Sequence, residues 1–333
     1  MKKINIEALQ RGDIILTTST EKESSIIKAA TFSDISHAML CVSRVSVMDS
    51  TGEGVQARNV QKLFYPDSCA IYILRPKVTL PESALTEVIN YIRQVVGTPY
   101  ALDEAMVAIA KTGKGSSKQF CSRLVARAFA AAGVNIVKNP DFCTPADLKR
   151  SKLLVHIENP SVSAEDGEVE SMQEHGDQTI KMRAITNSLL EKAKATISKI
   201  ENINDLIKAA IEFPEHDEAL ATALQNSGYL DLWQEELKIY PWRYDPVKIA
   251  QFYHSLPDKT SIMEYCHQTL LDEESGTFNH WKISLETISN LKDQYKRKTL
   301  ELMNDLYMKL NFNQHIRVKS AQVLVNVYGE KSA

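Results

Sequence analysis

The chain has 333 residues, 44% of them hydrophobic and 24% charged, the composition of a folded polypeptide of about two domains rather than a disordered or fibrous one. Its 39 basic and 42 acidic side chains leave a formal charge of −3, so no overall positive field draws nucleic acid or anionic lipid. Five cysteines, at 41, 69, 121, 143 and 266, are too scattered for a zinc ribbon or a CxxC redox site and too odd in number for a complete set of disulfides; they fit a reducing compartment.

At the start, Glu7, Gln10, Arg11 and Asp13 interrupt any apolar run, so no signal peptide is expected. Nowhere do 18 apolar residues run together, so no membrane-spanning helix is expected either. The expected location is cytoplasmic, or exported without a cleavable signal. Short β-type runs rich in Ile, Val, Leu and Tyr follow at Asp13–Thr17, His37–Val42, Val45–Asp49, Val55–Arg58, Ala70–Arg75 and Leu153–Ile157. Helical periodicity marks Ser24–Thr31, Pro81–Val95, Ala101–Ala110 and Cys121–Ala132. Strands cluster early with hairpin-length connections and helices come late, which predicts an α+β domain with an antiparallel sheet.

From Asn159 to Asp177 one proline, three serines and six acidic residues occur with no Lys or Arg, and this stretch reads as a linker. The expected organisation is a domain over 1–158, an acidic linker over 159–178 and a helical domain over 179–333. The charge before Glu158 inclusive is 20 basic against 15 acidic; after it, 19 against 27. In the second half Met182, Ile185, Leu189, Ala193, Ile197, Ile200 and Ile203, and later Ile288, Leu291, Tyr295, Met303, Leu306 and Leu310, recur at steps that give amphipathic helices. Tyr240-Pro241-Trp242-Arg243-Tyr244-Asp245-Pro246 breaks the helical pattern, and its aromatics are expected as core or hinge.

The sharpest chemical feature is Phe120-Cys121-Ser122-Arg123-Leu124-Val125 and the residues up to Gly133, a helix with an apolar face and a glycine stop. Cys121 falls on its first turn, where unpaired amides and the helix dipole favour a thiolate over a thiol. A thiolate nucleophile needs an acid–base partner, and histidine is the usual one. Of eight histidines only His37 and His156 precede the acidic stretch, and His37 opens a strand whose end faces a cleft. A polar residue on the neighbouring strand is expected to orient it. Asp49 shares a sheet face with His37 if the turn after Val42 has an odd number of residues; with a two-residue turn, Ser50 takes its place.

Taken in order, Gly12-Asp13-Ile14-Ile15, Ser36-His37-Ala38, a polar residue a dozen positions on, Gly97-Thr98-Pro99-Tyr100, Phe120-Cys121-Ser122-Arg123-Leu124-Val125 and Thr144-Pro145-Ala146-Asp147-Leu148 resemble the circularly permuted NlpC/P60 papain-like hydrolases of the YiiX/YaeF type. Lecithin:retinol acyltransferase-like enzymes share that layout. The resemblance spans about residues 8–157. It implies Cys121 as nucleophile, His37 as base and Asp49 as third member, with Glu53 a rival because relatives often carry Glu or His there. It also implies a covalent acyl-enzyme, and an oxyanion held at the helix N-terminus by the Cys121 amide, with Tyr100 and Ser122 as candidate helpers. The substrate class expected is an amide, ester or thioester, peptide or lipid-linked, with no cofactor and no metal.

The remaining readings are structural. Cys41, Cys69, Cys143 and Cys266 are expected to pack, and Cys143-Thr144-Pro145 to start a helix. The Gly113-Lys114-Gly115-Ser116 loop lacks the spacing of a phosphate-binding loop, and Cys266-His267 has no second ligand pair. Two other functions stay open: a non-catalytic binding module whose helical half docks a protein partner, and an isopeptidase on a ubiquitin-like tail.

Overall fold

Among the described residues, nine strands build the first part of the chain: β1 (Lys2–Ile4), β2 (Ile14–Thr17), β3 (His37–Ser43), β4 (Ser46–Thr51), β5 (Gly54–Asn59), β6 (Phe64–Tyr65), β7 (Ile71–Pro76), β8 (Leu154–Ile157) and β9 (Ser161–Ser163). Between β7 and β8 come α1 (Glu82–Gln94), α2 (Cys121–Ala131) and α3 (Pro145–Lys149). This computed structural model describes residues 1–18, 34–101, 118–165, 167–170 and 178–329. The expected helix at 24–31, nearly all of that at 101–110 and the 113–116 loop lie outside the described residues.

All six expected strands form, in one antiparallel sheet of order β5-β4-β3-β2-β7-β8. Alternation divides its side chains between two cores. Ile14, Leu16, Ala38, Leu40 and Met48 pack against Val88, Ile89 and Ile92 of α1 and Leu124, Val125, Ala128 and Phe129 of α2. Ile15, Met39, Cys41, Val47 and Ile73 pack on the opposite face with Ile4, Leu9 and Val60. The small sheet β6-β1-β9 carries Ile4 to that second core. Each large side chain so buried contributes about 1.5–3 kcal/mol, which is why a strand covered on both sides reads as a nearly unbroken apolar run.

Local anchors fix the ends of these elements. Buried Asp13 accepts Arg75 Nε and Nη2, both at 2.7 Å, and the Gln10 amide at 2.8 Å, so the Gly12-Asp13 pair ties β2 to β7. Gly97, at φ +89°, gives its N–H to the Val55 carbonyl, and the Thr98 carbonyl accepts from Val55. A side chain at Gly97 would stand 2.2 Å from Leu190 Cδ1. Thr144 caps α3 in a reciprocal capping box with Asp147, with Pro145 opening the helix as expected.

The chain divides into two compact units, residues 1–190 with 199–205, and residues 191–198 with 206–333. Within the acidic stretch read as a linker, Ser161–Ser163 pair with β1, which carries the first unit onward. It then takes in the first part of α4 (Gln178–Thr196), where Asn187 bonds Gln56 Nε2 and the Glu53 carbonyl.

The second unit is all-helical: α5 (Ile203–Glu212), α6 (Asp217–Gln225), α7 (Trp233–Ile239), α8 (Pro246–Ser255), α9 (Thr260–Glu274), α10 (Asn279–Tyr295) and α11 (Lys298–Tyr328). The break at Tyr240–Asp245 is a tight turn whose Trp242 stacks on Phe252 at 4.7 Å and meets Tyr265 edge-on. The Arg243 guanidinium lies over Tyr240, Trp242 and Tyr265. The chain's own cation therefore fills the aromatic cluster, which packs, half-buried, against the core of the helical unit. No helix among the described residues is long and apolar enough to cross a membrane.

Candidate active site

Cys121 is the first residue of α2, after an extended Phe120 that offers no side-chain cap. The first-turn amides are thus not taken up by a capping side chain. Two strands bring the partners. His37 opens β3 and Asp49 lies in β4, and the His37 Nε2–Asp49 Oδ2 distance is 2.8 Å. The Cys121 thiol interacts with the imidazole and helps to raise its pKa. The structure thus brings together Cys121, His37 and Asp49.

The route to that geometry differs from the simple parity argument. The turn after β3 is Arg44-Val45, two residues long, which alone would have put Ser50 beside His37. A bulge between Cys41 and Ser43 shifts the register: Ser43 pairs Ser46, yet Cys41 pairs Val47 and Leu40 pairs Met48. Val42, unpaired, acts as the extra residue that restores the parity. Alternation then puts Asp49 on the face of Met39 and His37. Ser50 faces the other way, and its hydroxyl donates to the Gln119 carbonyl at 3.1 Å.

Electrostatics follow from burial and pairing. Burial presses the His37 pKa down, but hydrogen bonds to Asp49 and Cys121 and the charges of both outweigh it and push it up to about 10. Asp49 is 2% exposed. Burial alone would raise its pKa; the hydrogen bond and charge of His37 and the guanidinium of Arg58 overcome this and hold the carboxyl below its ordinary value. The other cysteines lack such partners. Burial pushes the thiols of Cys41 and Cys143 up, and that of Cys266 up to about 12. Cys41 and Cys143 donate to the carbonyls of Ser43 and Ser122.

The remaining candidates have other partners. Glu53 is half exposed and pairs with Arg58 at 3.6 Å and Arg183 at 3.0 Å. The Ser122 hydroxyl donates to the Cys143 carbonyl at 2.8 Å and braces α2 against α3. Tyr100 packs with Ala101, Phe120 and Phe142 beside the cysteine and bridges to Gln119. Three residues near the triad went unrecognised. Arg58 Nε donates to Asp49 Oδ2 at 2.7 Å. Gln119 is buried two residues before the cysteine. Arg123, wholly buried, donates to the carbonyls of Asp141 and Lys118 and lies over the Phe120 ring. Arg123 stands off the apolar stripe of α2, so only its burial against Phe120 and the Asp141 and Lys118 carbonyls marks it; Arg58 needed the strand register.

A sheet that carries histidine before the helix that carries cysteine, both in one antiparallel α+β unit, defines a circularly permuted papain-like domain. Residues 8–165 match the family described as permuted papain-like amidase enzyme, YaeF/YiiX, C92 family. Among solved structures, the chain is similar to the metalloprotein yiiX from Escherichia coli O157:H7, at 18% identity and a TM-score of 0.36, over 47% of this chain and 97% of that one. No curated protein matches the chain. Among the described residues, no group of three or more His, Cys, Asp or Glu side chains is placed to hold a metal ion.

Proposed function

We propose that the first unit is a cysteine amidase in which Cys121 is the nucleophile, His37 the acid–base and Asp49 the orienting carboxylate. The observation that carries this reading is one imidazole bonded to a buried carboxylate at 2.8 Å and coupled electrostatically to the thiol at a helix N-terminus. In the first step the Cys121 sulfur, its proton held by His37, attacks the substrate carbonyl carbon. The C–N bond breaks, the imidazolium gives its proton to the leaving amine, and a thioester on Cys121 remains. In the second, water attacks the thioester as His37 takes one of its protons, the C–S bond breaks, and the acid product leaves, losing its remaining proton to solvent, with the thiolate–imidazolium pair restored. The oxyanion of each tetrahedral intermediate is held by the Cys121 backbone N–H, with Tyr100 at the edge of the site.

An amide is the preferred substrate because the matching family is described as amidases; an ester, a thioester or transfer to another acceptor uses the same acyl-enzyme. The helical unit is assigned the docking of substrate or partner. Five free cysteines, all buried, suit a reducing compartment. The test is turnover of a panel of peptide amides, lipid-linked amides and esters, and acyl-thioesters by wild type and Cys121→Ser. Turnover of at least one class, lost by more than about a thousandfold in the variant, supports the reading; equal rates in the two proteins overturn it.

A further inference from the structure

The carboxylate that orients His37 is shared. Asp49 Oδ2 accepts both His37 Nε2 at 2.8 Å and Arg58 Nε at 2.7 Å. Oδ1, equally buried, has no hydrogen-bond partner among the described residues. Two cationic donors thus converge on one oxygen, and the angle of the carboxylate is set between them. Arg58 is itself held in place: Nη2 donates to Thr51 Oγ1 at 3.0 Å and lies 3.6 Å from Glu53 Oε2, and Glu53 is 3.0 Å from Arg183 Nε. The register explains why it reaches Asp49. Val47 pairs Arg58 and Asp49 pairs Gln56, so Arg58 and Asp49 project from the same face, diagonally across β4 and β5.

We propose that Arg58 is a positioning residue, resting on the triad reading above: it fixes the direction of the Asp49 carboxylate and moderates how tightly that carboxylate grips the His37 imidazolium. The titratable and charged groups around the pair are His37 from β3, Arg58 from β5, Tyr65 from β6, Cys121 from α2, and, behind Arg58, Glu53 from the β4–β5 turn and Arg183 from α4. The Tyr65 hydroxyl is held protonated by burial and by the Asp49 charge. Arg58 is therefore the cation that competes with the imidazolium for the carboxylate. A guanidinium that merely neutralised a buried charge would influence stability alone. One that shares the accepting oxygen also sets the proton affinity and the aim of the imidazole.

The test uses the full chain with Arg58→Gln and Arg58→Lys, first in the Cys121→Ser background, where no thiol charge raises His37. With histidine labelled for NMR, Arg58→Gln is expected to move the His37 titration upward by about one pH unit, since the carboxylate then serves the imidazolium alone. Arg58→Lys, which keeps the charge, is expected to stay within about 0.3 unit. With Cys121 present, Arg58→Gln is expected to lower kcat about tenfold with KM within about twofold, because the imidazole is misaimed while the substrate site is intact. A His37 titration in Arg58→Gln that coincides with its parent overturns the proposal, as does a raised KM at unchanged kcat. Should Arg58→Gln fail to fold, Arg58→Lys decides: kcat lowered at least about threefold supports the role of the planar Nε donor, and kcat equal to wild type refutes it. A wild type that turns over no acyl substrate, with the His37 shift still present, defeats the amidase reading alone and leaves the Arg58–Asp49–His37 coupling standing.

Discussion

Asp49→Asn removes a charge from the pair with little change of shape. In the wild type His37 is pushed from its ordinary 6.5 up to about 10. Burial opposes that rise, so Asp49 and Cys121 together supply all of it and the burial penalty as well. If Asp49 supplies half of the rise, its charge and hydrogen bond shift the His37 pKa by about two, or about 3 kcal/mol. The variant should therefore titrate at His37 near or below about 8, read from the ring resonances of histidine-labelled protein. Stability carries the same sign. A raised folded pKa gives stabilisation fully present below about 6.5 and lost as pH climbs through the folded pKa, because the native state then binds more protons than the unfolded one. With Cys121→Ser as parent, urea unfolding should show the advantage of Asp49 over Asp49→Asn shrinking as pH climbs from about 6.5 through the His37 pKa of that parent, which lies below the wild-type value because the Cys121 contribution is gone. A His37 in Asp49→Asn that still titrates near 10, or a wild-type His37 near 6.5, refutes the reasoning.

Gly97→Ala puts a methyl 2.2 Å from Leu190 Cδ1 at a φ of +89°, and should cost about 2 kcal/mol or more in denaturant unfolding. Asp13→Ala strands Arg75 and the Gln10 amide; because Arg75 is a quarter exposed, the expected loss is about 2–3 kcal/mol in the same assay. Ser122→Ala should lower stability by about 1 kcal/mol through its lost bond to the Cys143 carbonyl while leaving kcat within about twofold. A large drop in kcat at unchanged stability would instead assign Ser122 to the oxyanion.

The six main strands were legible because each reads as a bounded run rich in apolar residues, the central ones buried on both faces, and α2 because its apolar stripe ends at Gly133. The three strands of the small sheet were not. Lys2–Ile4 and Phe64–Tyr65 are too short to show alternation, and Ser161–Ser163 lies in a stretch whose acidity and serines resemble a spacer. Cys121 and His37 stood out by residue type and placement. Asp49 hung on a register that turn length alone predicts wrongly, since the bulge at Val42 leaves no mark in composition. Arg58 was hidden for the same reason: its approach to Asp49 is a diagonal across two strands, visible only once their pairing is known.

The central claim is that Cys121 forms an acyl-enzyme with the help of His37. Its most direct test is peptide-resolved mass spectrometry of the protein quenched in acid during exposure to an activated acyl donor. The account predicts one acyl group, on Cys121, absent from Cys121→Ser and nearly absent from folded His37→Ala. Acylation of His37→Ala at the wild-type rate, or acyl groups spread over the other cysteines, would contradict it.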